Sequence, residues 1–323
     1  MTLRAGLKNT SANLMDFDHL PKPTIGILYP GELGARLADC ISSTGVRVVT
    51  TLEGRSARTV GFCRGLDIEI LASMEDVALQ SDVVFSIVVP NAAVTVADEY
   101  LCFAADRTEA PIFVDVNSIS PERVCAIQQR ASQAGVALVD AKVHGLAANL
   151  SNGAVMYLSG SEASLVARLL PRSIDARCLG DRVGQAAALK MFLGGLNKIL
   201  TALFLELGAA AGTAGVLDEF LERTQDYYPG IVEVVNRVAR SLPQHFERRA
   251  DEMGELAETL LHFERQPAFA REAAATIADF GQCKSAELFS AISNESDFGE
   301  VVRQLVKKGH AAEGQAAVGT VVS

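Results

Sequence analysis

Gly184 to Gly208 reads GQAAALKMFLGGLNKILTALFLELG. Apolar side chains fall all round a helical wheel here, the pattern of a helix buried on nearly all sides, and such a helix is expected to be a central pillar of the molecule. Lys190 is the residue that should be costly in it. At 100° per residue Lys190, Gly194, Asn197, Thr201 and Gly208 share one narrow stripe, expected to face a cavity rather than the packing. A lysine on that stripe loses hydration and becomes usable as a proton donor or acceptor. The alternative is a lysine whose stem packs while its ammonium reaches water.

Strand patterns precede this helix and helix patterns follow it. With 323 residues the soft expectation is two domains, each with material for a core. The formal net charge of −10 and the lack of any basic tract argue against nucleic acid as a partner. Cys40, Cys63, Cys102, Cys125, Cys178 and Cys283 stand singly, without metal-ligand spacing. They read as reduced core residues of a cytoplasmic protein, neither a disulfide frame nor a metal site. The first 20 residues have no continuous apolar run, so no signal peptide is expected. Lys190, Lys198 and Glu206 interrupt the best candidate span, so no membrane segment is expected either.

Residues 1–23 end in Pro-Lys-Pro and read as a loose leader. Thr24 to Tyr29 (TIGILY) then gives a buried strand, followed by a tight turn and the helix-like ARLADCISSTG, with a second strand at Val46 to Thr51. This is a dinucleotide-binding layout. Its phosphate turn, Tyr29-Pro30-Gly31-Glu32-Leu33-Gly34, keeps two of three expected glycines: Gly31 for close approach of the backbone to a pyrophosphate, Gly34 for helix-on-strand packing. Tyr29-Pro30 replaces the tight-turn glycine. Beyond the second strand, Arg55 with Ser56, and Arg58 behind them, can hold a 2′-phosphate, which favours NADP. If the Glu53 carboxylate reaches the ribose instead, the preference reverses to NAD; a solvated loop is the third possibility.

Asp82 to Val89 and Pro111 to Val116 are further strands, and ligands gather beyond the carboxyl ends of such strands. Val89-Pro90 and Asn117-Ser118 are therefore expected at a nicotinamide and substrate mouth. Ser120-Pro121-Glu122 reads as a helix cap. Val136 to Asp140 is one more strand, leading into Ala141-Lys142-Val143-His144-Gly145, where His144 is either catalytic or merely structural. From Val216 onward the pattern is helical, with Ile231, Val234, Val235 and Val238 on one core face. His245, Arg248, Arg249 and Asp251 read as a solvated face.

These motifs, in this order, resemble the β-hydroxyacid dehydrogenases, the group related to 6-phosphogluconate and 3-hydroxyisobutyrate dehydrogenases, and within it a branch whose turn is similar to P-G-E-[LM]-G. The resemblance implies a doubly wound Rossmann domain (24–182), a long interdomain helix opening an all-helical substrate and dimerisation domain (183–311), and a tail (312–323). Its substrate motif D-x-S-T-x-x-P is similar to Asp115 through Pro121, with Asn117 in place of serine. Its motif D-A-P-V-S-G-G is similar to Asp140 through Leu146, with His144 in place of serine. Its catalytic motif falls on Gly184, Lys190 and Gly194, where glycine stands for the family asparagine and Asn197 lies farther along the same stripe. With the NADP preference read from Arg55, Ser56 and Arg58, the resemblance implies an oxidoreductase acting on a small hydroxy acid or related alcohol, as a homodimer through the helical domain. Lys190 would be its acid/base; Asn117, Ser118, His144, Gly145, Gly194 and Asn197 would hold the substrate. An imine reductase on the same scaffold and a non-catalytic NADP binder are the rival readings.

Overall fold

The computed structural model describes residues 22–239, 241, 245–282 and 296–304; most of the expected leader, the expected tail and Cys283 lie outside them. The chain divides into two compact units, Met1–Lys190 and Met191–Ser323.

The first unit is built on an eight-stranded sheet. Its strands are β1 (Ile25–Leu28), β2 (Val48–Thr51), β3 (Glu69–Leu71), β4 (Val83–Ser86), β5 (Ile112–Asp115), β6 (Ala137–His144), β7 (Val155–Ser159) and β8 (Asp175–Gly180), in the order β3-β2-β1-β4-β5-β6-β7-β8. Strands β3 through β6 in that order pair in parallel; β7 runs antiparallel to β6, and β8 parallel to β7. This is the doubly wound sheet the sequence implied. β1, β4 and β5 are buried along their whole length because helices cover both faces. Ile25 and Ile27 face Leu37, Ala38 and Ile41 of α1 (Glu32–Ser42). Leu28 turns the other way, into the layer that holds Tyr100 and Ala97 of α4 (Ala93–Ala104), numbered after α2 (Ala57–Cys63) and α3 (Met74–Gln80).

Three strands were not legible. β3 and β8 are edges with mostly exposed side chains, so they lack the apolar run of a buried strand. β7 alternates Val155, Met156 and Tyr157 over only five residues. β6 in turn runs on past Asp140, which places His144 on a strand and not in a loop. The Ser120 hydroxyl caps α5 (Pro121–Gln133) as expected, accepting from the Arg123 amide.

α6 (Ala163–Leu169) precedes β8, and the chain then enters α7 (Gln185–Thr213), the long helix of the opening motif. The unit boundary falls inside α7, not before it at residue 183. The cause is local: the amides of Ala186 and Ala187 are hydrogen-bonded to Ser159 Oγ (3.1 Å) and Asp140 Oδ2 (2.9 Å), so the first turn belongs to the sheet.

The second unit holds the rest of α7 with α8 (Leu217–Tyr227), α9 (Pro229–Ala239), α10 (Phe246–His262) and α11 (Ala268–Gln282), and residues 298–304 are helical too. Its core joins Phe204 and Leu205 to Val235, Met253, Ile277 and Phe298. Two expectations for α7 are corrected. It is not buried all round: Phe192, Leu196, Leu203 and Leu207 are exposed, and steps of four and seven residues set them on one stripe. Nor does the polar stripe look into one cavity, since Thr201 is buried and a side chain at Gly208 would press on Phe298 and Val302. By length and composition alone α7 is apolar enough to cross a membrane, but Lys198 in it is paired with Glu252 at 3.2 Å. In the expected solvated face of α10, Arg248 does pair with Glu252 at 2.5 Å, whereas Arg249 is buried and donates to Ser241 Oγ at 2.7 Å. Burial lowers the Arg249 pKa from the ordinary arginine value.

Candidate active site

β1 ends at Leu28 and the backbone turns sharply at Tyr29, which takes a φ of +50°. That left-handed conformation costs a side-chain-bearing residue about 1–2 kcal/mol, and it is the one the absent glycine would supply. Tyr29 is held over by its surroundings: the Arg55 guanidinium lies 4.1 Å above its ring centroid, a cation–π contact. Burial, with the Glu99 carboxylate, lifts the Tyr29 phenol above its ordinary range, against the pull of Arg55. Gly31 then caps α1 without any side-chain partner, and a Cβ placed on it would meet open space. The helix thus presents its first amides unscreened. Gly34 is tight, since a Cβ there would lie 3.0 Å from the Pro30 side chain.

A cavity of about 470 Å³ opens on this turn. Tyr29, Gly31, Glu32, Leu33 and Arg55 form one wall; Val89, Pro90 and Ser118, from beyond β4 and β5, form another. Ile87, Val96, Val116 and Thr59 also line it, with Gly34, Val88 and Ala92; the first three come from apolar stretches that gave no signal beyond burial. Pro30 is buried against Gly34 and does not line the cavity. Two expected phosphate contacts are displaced as well. Ser56 spends its hydroxyl capping α2, accepting from the Thr59 amide at 3.3 Å, and Arg58 sits over Phe62, 5.7 Å from its centroid. Only Arg55 of that trio lines the cavity, and the Glu53 carbonyl, not its carboxylate, holds it (3.1 Å to Nε).

Beyond β5 the two mouth residues separate in role. Asn117 is buried: its Oδ1 accepts from the Val88 amide (2.6 Å), and its Nδ2 donates to Asp115 Oδ1 (2.5 Å) and Ser86 Oγ (3.2 Å). It ties the ends of β4 and β5 together, with both Nδ2 hydrogens used, and it does not line the cavity, contrary to expectation. Ser118 looks into the cavity, and Lys190 Nζ donates to its Oγ at 2.8 Å. Lys190 is partly buried, and the contact joins the start of α7 to the carboxyl end of the sheet. His144 is exposed on β6. Gly145, at φ +130°, abuts Ala154, whose Cβ a side chain there would meet at 2.8 Å; the glycine serves the β6–β7 connection and not a substrate. Gly194 and Asn197 belong to the second unit, where their carbonyls accept from Lys198 Nζ (3.1 Å) and Thr201 Oγ1 (2.8 Å).

Beneath this contact lies a cluster that sequence reading missed. Lys142 is fully buried, with Nζ 2.8 Å from Asp115 Oδ2 and 2.6 Å from Asp140 Oδ1, both carboxylates also fully buried. Burial pulls the Lys142 pKa down, but the two aspartates together outweigh it and raise it above the ordinary lysine value. Burial, the largest influence on Asp115, raises its pKa against the opposing pull of Lys142.

A parallel sheet with a glycine-bearing turn, an open helix N-terminus and a cavity across the strand ends defines a Rossmann-type dinucleotide-binding protein. Residues 24–172 match the family model described as the NAD binding domain of 6-phosphogluconate dehydrogenase, and residues 211–280 match a domain of unknown function, DUF1932. The match over residues 24–172 and the structural likeness that follows support the resemblance to the β-hydroxyacid dehydrogenases. A conserved hypothetical protein from Sinorhizobium meliloti shares the fold with a TM-score of 0.76 at 24% identity, over 92% of this chain and 99% of that one. A conserved protein of unknown function, whose structure is similar to 3-hydroxyacid dehydrogenases, superposes with a TM-score of 0.67 at 28% identity, over 79% and 97%. The 3-hydroxyisobutyrate dehydrogenase of Mycobacterium tuberculosis, solved with L-serine, has a TM-score of 0.67 at 17% identity, over 88% and 99%.

Proposed function

We propose that the chain is an NAD(P)-dependent oxidoreductase that interconverts a hydroxyl and an oxo carbon of a small hydroxy acid or related alcohol, with Lys190 as its acid/base. The observation that carries this reading is the 2.8 Å contact between Lys190 Nζ and Ser118 Oγ, with Ser118 in the cavity wall. The α1 amides and Gly31 suit a pyrophosphate, and the Val89–Pro90 segment suits a nicotinamide ring. A nicotinamide bound there supplies the two-electron acceptor or donor for the substrate carbon. Lys190, uncharged, takes the hydroxyl proton during oxidation; as an ammonium it returns that proton to the carbonyl oxygen during reduction. Ser118 holds the amine in place and offers its hydroxyl to the same substrate oxygen. The experiment that tests this is turnover of Lys190→Ala on a panel of 3-hydroxy acids.

The NADP preference is supported by Arg55 in the cavity wall. Arg55→Ala is expected to weaken NADPH binding roughly tenfold or more, by loss of a charge-assisted contact, and to leave NADH binding little changed. Calorimetric titration of both cofactors checks it; equal loss for both would mean that Arg55 does not read the 2′-phosphate.

The homodimer is supported by the apolar stripe of Phe192, Leu196, Leu203 and Leu207, a face that suits a second copy of this chain. The double variant Leu196→Glu with Leu203→Glu is expected to elute as a monomer in light-scattering chromatography where the parent elutes as a dimer. A parent already monomeric at micromolar concentration would count against this face as an interface.

A further inference from the structure

We propose that Lys142 is a positioning residue, whose grip on Asp115 and Asp140 together sets the Lys190–Ser118 contact by fixing the start of α7 against the turn after β5. Two hydrogen-bonded arms leave Lys142, and both end on that contact. On one, Asp140 Oδ2 accepts from the Ala187 amide at 2.9 Å and from Ser159 Oγ at 3.3 Å, while Ser159 Oγ accepts from the Ala186 amide. Lys190 stands three residues beyond Ala187, so any tilt of that first turn is carried to its amine. On the other, Asp115 Oδ1 accepts from Asn117 Nδ2, and Asn117 in turn holds the Val88 amide. Ser118 is the next residue.

The ring closes through Lys190 and Ser118. Asp115 and Asp140 are register partners on neighbouring parallel strands, so their carboxylates would repel without a cation between them. Apolar residues at 115, 140 and 142 together would pack the same strands without the cost of taking three charges out of water. What the ion cluster adds is a fixed orientation of both arms. Asp140 uses one oxygen for Lys142 and the other for the helix, and Asp115 divides its oxygens between Lys142 and Asn117 in the same way.

This inference rests on the proposed role of Lys190, and the test separates the two. Lysine reactivity toward trinitrobenzenesulfonate, resolved by mass spectrometry of the peptides, is measured in the full chain, in Lys142→Met, in Asp140→Asn and in Ser118→Ala. Lys142→Met and Asp140→Asn are each expected to raise labelling of Lys190 about fivefold, the factor one lost hydrogen bond gives, close to the value in Ser118→Ala. Lys22 and Lys198 should label as in the parent. Unchanged Lys190 labelling overturns the inference, as does a rise shared by all three lysines, which would mark general loosening. If Lys142→Met does not fold, Asp140→Asn decides alone. Turnover retained in Lys190→Ala would instead remove the proposed chemistry, whatever the labelling shows.

Discussion

Lys190→Ala is expected to lower kcat by roughly 10²–10⁴, the range for loss of a positioned acid/base, while NADPH binding stays nearly unchanged. The separation follows from where the residue sits. Its amine meets Ser118 at one wall, whereas the turn at Tyr29, Gly31 and Arg55 that would hold the cofactor forms another. Removing the amine takes away the proton carrier and leaves the dinucleotide contacts in place. Ser118→Ala should have a smaller effect on kcat, because it loosens the amine without deleting it. Steady-state kinetics on a 3-hydroxy acid turned over by the parent, with cofactor titration in parallel, reads both quantities. Equal turnover in parent and Lys190→Ala would rule out the acid/base role, and a collapse of cofactor binding would show that the lysine serves the dinucleotide.

Lys142→Met is expected to destabilise the first unit by about 3–5 kcal/mol, the cost of leaving buried carboxylates without their cation. Converting all three residues, as Asp115→Asn, Asp140→Asn and Lys142→Met together, should recover much of that loss, since no charge then remains in the dry interior. The pH dependence has a definite sign. The folded Lys142 pKa lies above its unfolded value, so the stability it contributes is complete below about pH 10.4 and is lost as pH rises through the folded pKa. Asp115 also has a raised folded pKa, so its burden on stability eases as pH falls through that value. Thermal melting of the parent should therefore drop steeply on the alkaline side, and Lys142→Met should lack that component. Parallel alkaline profiles for the two proteins would mean that the cluster carries no net charge coupling to folding.

The strand, turn and helix around the Tyr29–Gly34 segment were legible because a buried strand ending in small-residue punctuation has few other readings. The Lys190–Ser118 pairing was legible only through the order of motifs, since 72 residues separate the two. Asn117 was misread because a polar residue past a strand end looks the same whether it serves a ligand or the neighbouring strand. The Lys142 cluster did leave a trace: Asp140 and Lys142, two residues apart, share a face of a strand whose other buried residues are apolar. Acid and base on one buried face are the signal of mutual pairing that the reading passed over. The register that sets Asp115 opposite Asp140 leaves no such trace in the sequence. The stripe of Phe192, Leu196, Leu203 and Leu207 was hidden for the opposite reason, because apolar residues all round a helix do not say which of them are left uncovered.

The chain contains no tryptophan, and one of its few tyrosines forms part of the cavity wall with a guanidinium stacked on its ring. Intrinsic emission is therefore tyrosine emission, free of the indole signal that usually swamps it. A dinucleotide that displaces Arg55 from that ring or lies beside it will change the brightness of Tyr29 directly, so occupancy can be followed optically, without a label and before any substrate has been identified.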